Sequence, residues 1–180
     1  RSSFQFDDHF SIIDNFTIRN LWNIQNIWSF YPTRIVTFFT LALNYSLSKL
    51  DVYTYHLFNI IIHLGSAILV WQLISLIFSI PIIKSSNIYK YSRQIALFTA
   101  LIFLSHPVQT QSVTYIWQRC ASLAGFFYLS SVYFYIKTRL AQIDKKLASR
   151  WTIFYAFSYF FCILAMFTKE NALSLPFMII

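Results

Sequence analysis

The chain has 180 residues, of which 57% are hydrophobic, 21% aromatic and only 11% charged. That balance is too apolar for a soluble domain of this length and reads as an integral membrane protein. The net charge of +8 does not point to nucleic acid, because the cations sit in short segments between apolar runs, the pattern of topology signals and lipid-headgroup contacts.

The predicted elements begin with a large outer segment, residues 1–52. Ile18, Leu21, Trp22 and Trp28 recur at helical spacing with Asn20, Asn23, Gln25 and Asn26 between them. This pattern predicts a helix lying in the interface, with Trp at headgroup level. Residues 35–48 are uncharged but too short to span, so they are expected to be interfacial or re-entrant. Pro32 separates these two helices, and Asp51 marks the entry to the next one.

A hydrocarbon core takes about 20 mostly apolar residues in helical form. Residues 53–180 therefore predict an all-α, polytopic transmembrane bundle, with spans near 57–80, 95–104, 120–136, 151–167 and 171–180. The second is short and stops at Ser105-His106-Pro107, beside a protein-lined cavity, since irregular backbone is tolerated at membrane depth only there. The last is cut off. Because the chain starts at Arg1 and not Met, further helices are expected before Arg1 and after Ile180.

Orientation follows from Lys and Arg. Lys84, Lys90 and Arg93 fall in one connection, and Lys137, Arg139, Lys145, Lys146 and Arg150 in another. Both are short and basic and so are expected on the cytoplasmic side. The remaining connections then face outward, and of the acids only Asp144 falls inside. Four polar clusters share that outer side: Asp7-Asp8, Pro32-Thr33-Arg34, His106-Pro107 through Gln118-Arg119, and Thr168-Lys169-Glu170. Charged groups near lipid are costly and mark functional sites.

Each cluster has a chemical reading beside a bland one. Asp7 or Asp8 can take a proton from an incoming hydroxyl as general base, or cap a helix. Arg34, Arg119 and Lys169 can hold a lipid-linked phosphate, or snorkel to headgroups. His106 can bond a phosphate or the backbone, and Glu170 can orient Lys169 or Arg119 or form a simple ion pair. His56, Asn59 and His63 share a helix face and read as interior polar contacts, not metal ligands. Cys120 and Cys162 read as small core residues, and Asn15-Phe16-Thr17 and Asn44-Tyr45-Ser46 match the glycosylation acceptor pattern.

Taken in order, these clusters resemble the GT-C membrane glycosyltransferases, and among them the bacterial branch of the transmembrane, tetratricopeptide-repeat-bearing protein O-mannosyltransferase type. Phe6-Asp7-Asp8 with Ile13-Asp14-Asn15 is similar to the family's first outer loop. The likeness continues at Pro32-Thr33-Arg34, Leu43-Asn44-Tyr45 and Tyr55-His56-Leu57-Phe58-Asn59 with His63. Its most specific stretch runs from His106-Pro107-Val108-Gln109-Thr110-Gln111 to Tyr115-Ile116-Trp117-Gln118-Arg119-Cys120, and Thr168-Lys169-Glu170 resembles a Ser-Lys-Glu motif. Departures are Tyr31 where the family often has Arg, Lys49 where Gly is common, and Gln111 where the animal-type pattern has Glu.

The resemblance implies an inverting enzyme that moves a sugar such as mannose from a polyprenyl-phosphate donor to a hydroxyl acceptor, protein Ser or Thr among them, on the non-cytoplasmic side. It places the base at Asp7 or Asp8 and donor binding among Arg34, His106, Arg119, Lys169 and Glu170. The implied partners are membrane lipid, the lipid-linked sugar and an acceptor protein or glycan, with a repeat domain beyond this chain. No cofactor or metal is demanded, although an acid pair is compatible with a divalent cation. The implied location is a bacterial inner membrane with the site facing outward, or the endoplasmic reticulum in a eukaryote. The competing class is a non-enzymatic transporter or lipid-binding scaffold whose path is lined by His56, Asn59 and His63.

Overall fold

The computed structural model describes residues 3–143 and 150–179, and all regular structure among them is helical. The expected inner-side residues Asp144, Lys145 and Lys146 lie outside the described residues, as do Arg1 and Ile180. The α-helices are α1 (Ile24–Phe30), α2 (Ile35–Ser48), α3 (Val52–Phe78), α4 (Pro81–Lys84), α5 (Ser92–Ser105), α6 (Thr110–Thr114), α7 (Arg119–Ile143) and α8 (Trp151–Met166).

Asp51 starts α3 by accepting a hydrogen bond from the Tyr53 amide at 3.1 Å, and α3 then runs 27 residues, about 40 Å at helical rise. The bundle is built around it. α7 lies beside α3 in the same direction, and α5 and α8 return antiparallel to α3 and α7 respectively. α3 and α7 approach closely at Gly65: a β-carbon there would stand 3.0 Å from a ring carbon of Phe126. α7 and α8 are joined inside by a reciprocal pair, Ser131 Oγ donating to the Ser158 carbonyl at 2.8 Å and Ser158 Oγ to the Ser131 carbonyl at 2.9 Å. Phe134 stacks on Phe157 and Phe161 across the same interface. Small residues and paired hydroxyls suit helix packing where no water is present to compete.

Among the described residues, one helix, α3, is both long and apolar enough to cross a membrane, and α8 is apolar but shorter. This falls below the expected five spans. α7 has the length, but its sequence carries Arg119, Lys137, Arg139 and several serines and tyrosines. Residues expected to open a fifth span form two 3-10 turns instead, Glu170–Ser174 and Pro176–Met178, because Lys169 is extended and Pro176 has no amide to extend a helix. Their Ala172, Leu175 and Ile179 pack with Cys162 and Ala165 in a small core that also takes in Tyr128 and Val132 of α7.

The outer faces of these helices remain strongly apolar. Leu57, Ile61 and Ile68 of α3, Phe98 and Ile102 of α5, and Ile153, Phe160 and Ile163 of α8 are exposed. So much exposed apolar surface is characteristic of contact with lipid or another apolar partner.

The N-terminal segment folds over one end of the bundle. The single interfacial helix expected around residues 18–28 is broken: Phe16–Arg19 is a 3-10 turn, and α1 starts afresh at Ile24. Asn15 and Asn23 each accept from a backbone amide to start the two pieces, a role their short side chains fill well. α2 is a 14-residue helix, as its length suggested. It stops at Lys49, which takes a left-handed φ of 56°, a geometry that favours glycine. Ile12, Ile18, Ile27, Phe38, Leu41 and Tyr55 form the core beneath this cap, together with Ile116 from the segment before α7.

Candidate active site at the capped end

α5 ends at Ser105 because the residue before a proline is pushed out of helical geometry, and His106 is extended. The chain then makes short turns until α7 begins at Arg119. Three polar residues of α3 hold the backbone of this irregular stretch and of the end of α5. His56 Nδ1 lies 3.1 Å from the Val113 carbonyl, Asn59 donates to the carbonyls of Tyr115 and Ile116, and His63 Nε2 lies 3.1 Å from the Leu104 carbonyl. All three fasten backbone, and His63 also lines a cavity. His106 itself is exposed, and its Nδ1 accepts from the Val108 amide at 3.2 Å as a cap on the next turn.

The stretch so held receives Asp7 and Asp8. Phe6 has a left-handed φ of 43°, unusual for an aromatic residue, and its ring sits edge-on to Tyr115. The turn separates the two acids sharply. Asp8 is buried at 1% exposure, with Oδ1 accepting from the Trp117 amide at 2.8 Å and Oδ2 from the Gln5 amide at 2.9 Å. Burial raises its pKa, opposed by those two amides. Both oxygens are thus occupied, Oδ2 within its own turn and Oδ1 in tying the N-terminal segment to the segment before α7.

Asp7 is exposed. Its Oδ2 accepts from the Tyr115 hydroxyl at 3.0 Å, and its amide lies 3.3 Å from the same oxygen. Among the described residues no other hydrogen bond reaches the Asp7 carboxylate, so Oδ1 is open to a visiting donor. Partial burial and the bond to Asp7 push the Tyr115 phenol up to about 12. It therefore stays protonated near neutral pH and keeps donating to the carboxylate.

Arg34 and Glu170 form a clasp between the N-terminal segment and the turn after α8. The guanidinium Nε lies 3.1 Å from Oε1 and Nη2 3.0 Å from Oε2, and Thr33 Oγ1 donates to Oε1 at 2.9 Å. The hydrogen bond from Arg34, helped by that from Thr33, lowers the Glu170 carboxyl to about 2. Arg34 also stacks over Tyr31 and Trp117, whose amide holds Asp8. Beside the clasp, Thr37 Oγ1 donates to the Thr168 carbonyl and the Val36 amide to that of Phe167. The four polar clusters of the sequence thus meet at one end of the molecule.

Arg119 occupies a different position from the donor-facing one expected of it. It is fully buried. Nε donates to Asn59 Oδ1 at 2.9 Å, Nη1 to Asn44 Oδ1 at 2.5 Å and the Thr40 carbonyl at 3.3 Å, and Nη2 to the Tyr55 carbonyl at 3.0 Å. The ring of Phe58 lies 4.8 Å from its Cζ. Among the described residues no carboxylate bonds it; amide and carbonyl dipoles balance the charge and join α2, α3 and α7 beneath the site. Asn44 and Asn15, the two glycosylation candidates, are each only 2% exposed and committed to internal hydrogen bonds.

Lys169 has no ion-pair partner among the described residues. It lines a small cavity of about 200 Å³ with Tyr128, Asn171 and the small residues Ala121, Ala124 and Gly125 of α7. A larger cavity of about 410 Å³ adjoins it, sharing Ala121, Gly125 and Tyr128. Its polar lining comprises His63, the amides of Gln109, Gln111 and Gln118, and the hydroxyls of Ser66, Ser112 and Ser122. A cation at one end and neutral amides and hydroxyls along the rest suit a phosphate joined to a polyhydroxylated group. Among the described residues no group of three His, Cys, Asp or Glu is placed to hold a metal ion, and both cysteines are free and buried.

Tyr115, Asn44 and Thr33 are residues whose roles only geometry reveals, whereas Asn59 is the interior polar contact its spacing suggested. All three fall within or beside the motifs already singled out, but nothing in their spacing tells a buried bridge from an exposed contact.

No protein-family model matches the chain, and no solved structure matches it significantly. Curated relatives do. Protein O-mannosyl-transferase TMTC3 of Mus musculus is 31% identical over 106 residues, covering 59% of this chain and 10% of its own length. Protein O-mannosyl-transferase TMTC4 of Homo sapiens is 28% identical over 143 residues, 78% of this chain and 19% of its own length. Protein O-mannosyl-transferase F38B6.6 of Caenorhabditis elegans is 30% identical over 106 residues, 59% of this chain and 14% of its own. The chain thus spans a tenth to a fifth of the length of these relatives, and over that part it is similar to proteins named as protein O-mannosyl-transferases.

Proposed function

We propose that this chain forms the catalytic head of a polytopic GT-C-type membrane glycosyltransferase, which moves a sugar from a polyprenyl-phosphate donor to an acceptor hydroxyl on the non-cytoplasmic side. The observation that carries the reading is the exposed Asp7 carboxylate, held by Tyr115 where all four polar clusters meet. Names of the relatives support the transfer and mannose as the sugar.

In this mechanism the acceptor O–H donates its proton to Asp7 Oδ1 as its oxygen attacks the anomeric carbon. The bond from that carbon to the phosphate oxygen breaks, and the electron pair leaves with the polyprenyl phosphate. Attack opposite the leaving group inverts the anomeric centre. Lys169 stabilises the departing phosphate, while the adjoining amide-lined cavity holds the sugar. Asp8 positions the loop rather than reacting, and Arg34 with Glu170 locks that loop to the end of α8. Base catalysis of this kind contributes roughly a hundredfold to ten-thousandfold.

The test is transfer of radiolabelled sugar from a panel of polyprenyl-phosphate donors to endogenous membrane protein, with the anomeric configuration of the product determined. Label bearing the configuration opposite to the donor's is the expected result. Uptake of solute into vesicles without label transfer would instead establish the transporter class.

A further inference from the structure

The far end of the bundle carries a second constellation that sugar transfer does not use. Along α3 it lies some 20 residues, about 30 Å, from His56 at the capped end. A cavity of about 670 Å³ opens there between the end of α3, the end of α7 and the start of α8. Three cations from three separate elements line it: Lys84 of α4, Lys137 of α7 and Arg150 before α8. None of its described lining residues is an acid, and Leu76, Leu140 and Phe154 supply an apolar wall.

Lys137 is held by aromatic rings. Its Nζ lies 4.7 Å from the Tyr133 ring centroid and 5.4 Å from that of Phe154, so aromatic faces fix its charge in place. A second cavity of about 300 Å³ adjoins the first, sharing Leu76 and Ser79, and runs along Trp71, Gln72 and Tyr133 between α3 and α7. A cationic chamber continuous with an aromatic-walled slot matches a molecule with a phosphate head and an apolar tail. Exposed Ile82 and Ile143 beside it extend the apolar surroundings.

We propose that this is a binding site for an anionic phospholipid, with the phosphate among Lys84, Lys137 and Arg150 and one acyl chain in the Trp71–Tyr133 slot. Basic pockets between helices at the cytoplasmic face are suited to such headgroups. The proposal rests on the membrane reading above and adds to it a specific lipid contact at the opposite end from the reaction.

The experiment reconstitutes the protein in nanodiscs of phosphatidylcholine with a minority of phosphatidylglycerol and reads retained lipid by native mass spectrometry. Its partner is the Lys84→Gln/Arg150→Gln variant; both side chains are exposed, so the fold is retained while Lys137 keeps its aromatic contacts. Phosphatidylglycerol retained over phosphatidylcholine, with the preference falling about tenfold in the variant, is the expected result. Equal retention of both lipids, or an unchanged preference in the variant, would overturn it. Displacement of the lipid by inorganic phosphate would show a soluble-phosphate site instead. Failure to enter nanodiscs at all would overturn the membrane reading itself.

Discussion

Replacing Arg119 with Met removes a cation that sits entirely inside the structure. The side-chain oxygens of Asn59 and Asn44 and the carbonyls of Thr40 and Tyr55 then lose their donor in a sealed site. A charge-assisted hydrogen bond is worth about 1.5–3 kcal/mol. Against that, the cation's own desolvation cost, several kcal/mol, is no longer incurred. The balance is a loss of about 3–4 kcal/mol, in line with other broken buried charge networks. Lys at this position keeps the charge but not the fork that reaches four acceptors on two helices, so Arg119→Lys is expected to lie between wild type and Arg119→Met. Thermal melting in detergent checks this, with the donor KM measured on the surviving folded fraction. A melting temperature unchanged in Arg119→Met, together with a raised donor KM, would refute the reasoning and return Arg119 to a phosphate-binding role.

Other consequences are equally direct. Glu170 titrates at about 2 in the fold against an ordinary 4.5, so its contribution is present above pH 4.5 and fades as pH falls toward 2. Because Glu170 is 38% exposed, a double-mutant cycle of Arg34→Met and Glu170→Gln is expected to give only about 1 kcal/mol at neutral pH and almost none near pH 2. Tyr115→Phe removes the hydroxyl that holds Asp7 and is expected to slow sugar transfer about tenfold with little change in melting, which a kinetic and thermal comparison reads. Expression in a glycosylating membrane is expected to leave Asn15 and Asn44 unmodified, seen as no shift on endoglycosidase treatment.

The convergence at the capped end was legible in the sequence for a physical reason. In a chain this apolar, polar residues that are not solvated must find one another, and the Asp7, Arg34, Tyr115 and Glu170 segments do so. The stop at His106-Pro107 was legible because proline restricts the residue before it. Burial was not legible. Asp7 and Asp8 are identical in type and adjacent, and only the turn at Phe6 decides which faces out. Arg119 reads in sequence like any cation at a helix end; its enclosure depends on Asn44 and Asn59, which lie 75 and 60 residues away along the chain. The helix expected across residues 18–28 failed because periodicity records which face is apolar, not where asparagine side chains compete for the backbone. The expected fifth span failed in a similar way, since hydropathy at 171–180 says nothing of the extended Lys169 or the 3-10 turns that follow.

In the proposed mechanism Asp7 is the base and Asp8 its support. Sugar transfer measured for Asp7→Asn beside Asp8→Asn, with the melting of each, tests it most directly. Asp7→Asn is expected to slow transfer by about a hundredfold or more while melting like wild type, and Asp8→Asn to lower melting and transfer together. Full transfer by a folded Asp7→Asn protein would contradict it.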